Sequence, residues 1–206
     1  MSFNKIVLWL LMVAQTASSP LAQERAIGRA SYRVQLSEIS VQSPRSRRTD
    51  TNYAAMSVQV GDTTARTVTR RIGNVGRGTK AVNMSLSKVV LTSETQLRIT
   101  WSVVNYGGER HDVLMRAVGS ATEEKTNESG MTQLSEAVSD VLADRRKSCD
   151  GPVFYATFEI TGAELSGQLR SGKPLRITRR QQGMDAPSPC ESRSDYSATV
   201  VIFKER

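Results

Sequence analysis

Polar and apolar residues alternate with a period of two through most of the chain, the pattern of strands with one buried face. Tyr32, Val34 and Leu36 alternate with polar neighbours, and Ile39 and Val41 resume the alternation on the other parity. A change of parity inside a strand needs an extra residue, so a bulge or short turn is expected near Ser37 and Glu38. Met56, Val58 and Val60 form the next run and end at the turn pair Gly61-Asp62. Residues 63–72, rich in Thr and Arg with Ala65, Val68 and Ile72 between them, fit an edge strand. Gly73-Asn74-Val75-Gly76-Arg77-Gly78 then reads as a hairpin turn whose glycines supply positive φ. Val82, Met84 and Leu86 lead to Val89, Val90 and Leu91. The clearest strand carries Leu97, Ile99, Trp101 and Val103 on one face and closes at Asn105-Tyr106-Gly107-Gly108, which puts Trp101 in the core. Phe154, Ala156, Phe158 and Ile160 alternate later, followed by Leu175 and Ile177. From Tyr196 to Phe203 both parities are apolar, as in a central strand.

One segment departs from this period. Across residues 131–147, Leu134, Ala137, Val138, Val141 and Leu142 recur at helical spacing. Thr132 is placed to cap the start, and Arg145, Arg146 and Lys147 lie at the end, where the helix dipole favours cations. Residues 113–118 read as a short helix or strand, and 120–130 as a polar loop. The fold class is therefore mostly β: an antiparallel β-sandwich of about eight strands with one amphipathic helix inserted, packed across an open end or along an edge.

The first residues change the picture of where such a domain works. Lys5 is the only charge before Glu24, residues 6–14 form an unbroken apolar run, and small residues lead to Ala22. A positive start, a short apolar run and a small residue at its end mark a secretory signal, expected over residues 1–22 with Ala17 as an alternative cleavage site. The run is well short of the roughly 20 residues a membrane span needs, which disfavours an uncleaved anchor. The remainder, 23–206, has the length of one domain with no second spanning segment, and its expected location is secreted or periplasmic. In that setting Cys149 and Cys190 most often pair, closing a loop of about 40 residues. Such a bond constrains the unfolded chain by about 4 kcal/mol. Free thiols and a metal site are the alternatives, although His111 is the sole histidine to join one.

Candidate chemistry is sparse. Asp50 and Asn52, two residues apart at a strand mouth, can join Asp185 and the neighbouring Asp150 as oxygen ligands, so a calcium ion is the one cofactor suggested. Asx-type turns explain Asp50 and Asn52 equally well. His111-Asp112 is the one place for imidazole chemistry, but no Gly-x-Ser-x-Gly elbow accompanies it. Asp150, Glu159 and Glu164 have no spacing that selects a glycosidase pair. Residues 73–80 lack the order of a phosphate-binding loop. Asn83-Met84-Ser85 and Asn127-Glu128-Ser129 fit the N-glycosylation pattern, and Asn127 in the polar loop is the better acceptor in a eukaryotic host. The chain is basic, with formal charge +8, and Arg45, Arg47 and Arg48 are the cluster singled out for binding anionic surfaces. Aromatics make up only 5% of residues and do not interleave with the cations, which argues against nucleic acid as the ligand.

Several local runs occur together in one order: Ser43-Pro44-Arg45-Ser46-Arg47-Arg48-Thr49-Asp50-Thr51-Asn52, Ile72-Gly73-Asn74-Val75-Gly76-Arg77-Gly78-Thr79, Val104-Asn105-Tyr106-Gly107, Cys149-Asp150-Gly151-Pro152-Val153 and Asp185-Ala186-Pro187-Ser188-Pro189-Cys190-Glu191-Ser192. In this order they resemble a group of uncharacterised secreted β-sandwich proteins with a Thr-Arg-Ser…Asp-Thr-Asp segment and paired Cys-Asp-Gly and Asp-Ser-Pro-x-x-Cys motifs. Pro44, Asn52 and Glu191 depart from that pattern, which has Thr, Asp and Gly there. The resemblance implies the fold, the disulfide and export, and no activity. The expected function is an exported, non-catalytic binding protein for a surface glycan, an anionic polymer or a partner protein. An extracellular hydrolase using loop carboxylates or His111, and a structural envelope-associated domain, are the rival readings.

Overall fold

The computed structural model describes residues 28–46, 50–123, 130–142, 149–182 and 194–205. The expected signal peptide, Arg47, Arg48, Asn127, Asp185, Cys190 and the end of the expected helix lie outside the described residues. Eight strands form two antiparallel four-stranded sheets. Sheet A runs in the order β4 (Gly78–Leu91), β1 (Ala30–Ser43), β8 (Asp195–Lys204), β7 (Leu175–Gln182). Sheet B runs β3 (Arg66–Val75), β2 (Asp50–Val60), β5 (Gln96–Asn105), β6 (Gly151–Thr161). Their inner faces meet in the main core, where Val34, Leu36, Ile39, Met56, Ile99, Trp101, Phe154, Val200 and Ile202 are buried. Trp101 packs beside Phe154 with ring centroids 6.3 Å apart. β8 lies between β1 and β7, and Thr199 and Val201 are buried on its second face, the central position its double-sided apolarity predicts.

Both pairings of β1 shift register between Leu36 and Glu38. Against β8, Ser37 is the extra residue, and its Oγ donates to the Thr199 carbonyl at 3.0 Å. The parity break in the sequence is thus a bulge. Residues 66–75 form the outermost strand of sheet B, but the glycine-rich turn after them does not make a hairpin. β3 belongs to sheet B and β4 to sheet A, so the turn at Gly76-Arg77 carries the chain across the sandwich from one sheet edge to the other.

Three helices are described, not one. α1 (His111–Glu123) and α2 (Gly130–Leu142) lie on the outer face of sheet B and form a third layer. Leu114, Val118 and Ala121 of α1 and Leu134, Val138 and Val141 of α2 bury against Tyr53, Ala55, Val104 and Tyr106. The inserted helix therefore covers a sheet face rather than an end or an edge, and residues 111–123, expected as a short element and a loop, are one helix. Its apolar stripe is narrow, with Gly119 packed 3.3 Å (measured from a Cβ built there) from the Thr69 methyl. Ser102 and Thr122 meet across this interface: Thr122 Oγ1 donates to the Val118 carbonyl at 2.6 Å and accepts from Ser102 Oγ at 2.8 Å. α3 (Gly162–Gln168) begins with a capping box between Thr161 and Glu164. A Cβ at Gly162 would lie 1.9 Å from the Thr92 carbonyl oxygen, so this start admits only glycine. Among the described residues no helix is long and apolar enough to cross a membrane.

The helical layer makes sheet B a buried sheet, so truncating that layer must cost as much as truncating the main core. Leu134→Ala removes a fully buried side chain and is expected to cost about 2–5 kcal/mol, read as a lower urea midpoint at an unchanged denaturant slope.

Candidate functional site

The strand ends place residues 44–46, 106–110, 149–150 and 194 at one end of the sandwich, and the chemistry-bearing residues there converge on Asp50. This carboxylate is fully buried. Its Oδ1 accepts hydrogen bonds from Ser46 N at 2.8 Å and Ser46 Oγ at 2.5 Å. Its Oδ2 accepts from Arg45 N and from the Tyr196 hydroxyl, both at 2.5 Å. Arg45 folds its guanidinium inward, where Nη1 donates to the Pro152 carbonyl at 2.9 Å. Gly151, at φ 147°, leaves room for it, because a Cβ there would stand 3.1 Å from the guanidinium. Asn105 Nδ2 donates to the Cys149 carbonyl at 2.9 Å, and Asp150 Oδ1 accepts from Gly107 N at 2.9 Å. Burial pulls the Arg45 guanidinium down, opposed by the charges of Asp50, Asp150 and Tyr196.

This geometry corrects one expectation and bears on another. Arg45 is buried and committed to the protein's own backbone, so it is not part of an exposed binding cluster. Asp50 and Asn52 do come together with Asp150 at one end, but as an internal polar tie. Both oxygens of Asp50 are already taken by four donors, and the charge beside it is a cation. As held here, Asp50 has both oxygens engaged by protein donors, the expected ligand Asp185 lies outside the described residues, and among the described residues no three His, Cys, Asp or Glu side chains gather to hold a metal. The Asx-turn alternative describes Asp50 well. Cys149 is not a free thiol.

His111 is the first residue of α1, just after the 106–110 loop. Its Nδ1 is hydrogen-bonded to the Tyr53 hydroxyl at 2.5 Å, with the two rings stacked at 5.7 Å and Tyr106 edge-on to both. Burial pushes the Tyr53 hydroxyl up, and the nearby Arg71 opposes the shift. The histidine therefore anchors a helix to an aromatic cluster, and its partner at Nδ1 is neither a serine nor a carboxylate. Asp150, Glu159 and Glu164 are engaged separately. Asp150 binds the Gly107 amide, Glu159 pairs with Arg98 at 3.5 Å, and Glu164 caps α3 at the far end of β6.

What is left without a carboxylate partner is basic. Between Asp62 and Glu94 there is no acidic residue, and the same span holds Arg66, Arg70, Arg71, Arg77, Lys80 and Lys88. This span is β3, its crossing turn and β4, the outermost strands of the two sheets on one side of the sandwich. All but Lys80 are exposed, and none of the six is ion-paired to a carboxylate among the described residues. A groove of about 430 Å³ runs there, lined by Arg70, Arg71, Ile72, Ala81, Val82 and Asn83. The sequence shows Arg70-Arg71 as one of several scattered pairs. Only the side-by-side placement of two strands from different sheets makes a strip of them, and the signal that was available is the acid-free span itself.

No protein-family model and no curated protein matches the chain. Among solved structures, human GIVD cytosolic phospholipase A2 in complex with methyl gamma-linolenyl fluorophosphonate inhibitor and terbium chloride aligns over 86% of this chain at 10% identity and a TM-score of 0.41. The chain spans 17% of that protein's length. A C2 domain of plant extended synaptotagmin 1 aligns over 86% of this chain and 96% of its own, at 4% identity and a TM-score of 0.35.

Burial first, and then the charge of Asp50 and the hydrogen bond to it, raise the Tyr196 hydroxyl far above its ordinary value. The folded state thus holds this proton more tightly than the unfolded chain, whose tyrosines ionise near pH 10. The tie's contribution is complete below about pH 10 and is lost as pH rises beyond it. Tyr196→Phe is expected to cost about 1.5–3 kcal/mol at pH 7, since Asp50 loses one donor. It should also flatten the fall in stability above about pH 10. Urea unfolding of both proteins at neutral and alkaline pH measures the two effects together, and the loss at pH 7 should be the same in EDTA and in millimolar calcium.

Proposed function

We propose that this chain is an exported, non-catalytic binding module whose ligand is anionic and is held on the β3–β4 edge. The observation that carries the reading is the strip itself: six cations on two neighbouring edge strands and the turn between them, none of them ion-paired to a carboxylate among the described residues, with the Glu205 carboxylate reaching the strip at the Lys88 amide, 3.0 Å away. Unpaired like charge at a surface raises the local concentration of anions and speeds their capture. The rest of the molecule's ionisable chemistry favours binding over catalysis, because Asp50, Arg45 and His111 are each held by the protein's own groups. Export follows from the N-terminal residues 1–22 and from the resemblance to secreted β-sandwich proteins, and it supports a disulfide between Cys149 and Cys190. In a secreted or periplasmic setting the available anions are surface glycans and other acidic polymers.

The test is retention on an anionic matrix as salt is raised. Arg71→Gln with Arg77→Gln should elute at lower salt, with the dependence of log affinity on log salt reduced by roughly one for each cation–anion pair removed. Arg179→Gln removes an exposed charge from β7, at the opposite side of sheet A, and should elute with the unaltered protein. Equal elution of all three proteins would remove the β3–β4 edge as the site.

A further inference from the structure

Two arginines of the strip are held in the same unusual way. Arg66 and Arg70 sit four residues apart on the inner face of β3, opposite Val58 and Ala54 of β2, and so point toward the gap between the sheets. Arg70 Nη1 donates to the carbonyls of Val82 and Asn83, and Arg66 Nη1 to that of Ser87 at 3.0 Å and of Lys88 at 3.5 Å. These four acceptors belong to the two places where β4 leaves register with β1. Val82 and Asn83 oppose Ser37, and Ser87 and Lys88 oppose Arg33, two residues against one each time. Asn83 and Lys88, the second residue of each pair, are the two non-glycine residues with positive φ among the described residues, at 50° and 57°. Each bulge turns carbonyls outward, and one arginine of β3 takes them.

The consequence is a repeated device. In both side chains one nitrogen is tethered, which sets the plane of the guanidinium, while Nε and Nη2 make no hydrogen bond with the described residues. That pair of N–H groups is the edge of the fork that receives a tetrahedral oxyanion through two parallel hydrogen bonds. Tethering before the ligand arrives reduces the side-chain ordering that binding would otherwise require. At the rise of a strand the two forks stand about 13 Å apart along β3. Between Gly61 and Leu97 the chain has no Phe, Tyr, Trp or His, so the strip offers nothing for a base to stack on.

Resting on the anion-binding reading above, we propose that Arg66 and Arg70 form a two-point clamp for a linear polysaccharide bearing sulfate or phosphate esters, laid along the β3–β4 edge. The clamp discriminates by geometry as well as by charge, which separates it from simple attraction between a basic surface and any polyanion.

The test compares the protein with Arg66→Lys/Arg70→Lys, which keeps both charges and removes both forks, after the urea midpoints of the two are matched. The probes are dextran sulfate fragments of graded length, a carboxylate-only polygalacturonate, a single-stranded oligothymidylate and inorganic sulfate. The clamp predicts that the lysine variant loses about tenfold in affinity or more for long dextran sulfate, the scale of one good bidentate contact. It predicts little change for polygalacturonate, and a sharp gain in affinity once fragments are long enough to reach both forks. Equal losses for all polymers, no loss, or tightest binding by oligothymidylate would each overturn the clamp while leaving the anion-binding edge in place. Wild-type affinity for every polyanion in Arg66→Glu/Arg70→Glu would remove both. Should the lysine variant prove unstable, the fragment-length series on the unaltered protein decides alone, since a single point of contact gives no threshold.

Discussion

A carboxylate sealed away from water must find donors for both oxygens, and the position of Asp50 makes that requirement bind the two sheets together. Asp50 opens β2 in sheet B, whereas Arg45 and Ser46 follow β1 of sheet A and Tyr196 lies in β8 of the same sheet. Arg45 returns the tie to sheet B through Pro152. Four hydrogen bonds to one group therefore do at this end of the sandwich what apolar packing does in its middle. Removing one donor from such a site costs about 1.5–3 kcal/mol, because a buried charge is left with one acceptor position unsatisfied. The residues that look most like a ligand set are thus the ones least free to accept a ligand.

The need to satisfy polar groups also shapes the β3–β4 side of the sandwich. An edge strand exposes unpaired backbone groups, and proteins blunt such edges with charges, bulges or cover. Here the two bulges of β4 present carbonyls outward and arginines from the neighbouring sheet take them, so the open side of the sandwich is closed by side chains instead of by a ninth strand. A device that protects an edge also holds guanidinium groups at the surface, and under the proposed clamp the same residues would serve both stability and recognition.

Period-two alternation makes most strands, the β1 bulge, the edge position of β3 and the central position of β8 legible, because each depends on which face is buried. The third layer is less legible for the same reason. Tyr53, Ala55, Ser57, Thr100 and Ser102 point to the outer face of sheet B, and their small or polar character reads as solvent-facing, yet α1 and α2 bury them. The chain from Ser102 to Thr122 to the Val118 carbonyl shows why this is allowed: buried hydroxyls whose protons find protein acceptors are not left unsatisfied. The polar end is half legible. The oxygens of Asp50, Asn52 and Asp150 suggest that these residues gather, but Arg45 reads as surface, since nothing in a run of arginines says which one turns inward. The basic strip is invisible as a strip because its two strands belong to different sheets, and sheet membership is a long-range fact.

The crossing from β3 to β4 has a mechanical side. A hairpin within one sheet can be peeled away, its hydrogen bonds failing one after another under a small load. β3 and β4 are joined by a two-residue turn but anchored in separate sheets, each along its full length to a different neighbour. A pull on that turn along the strands is shared between two ladders loaded in parallel, so each sheet relieves part of the load on the other.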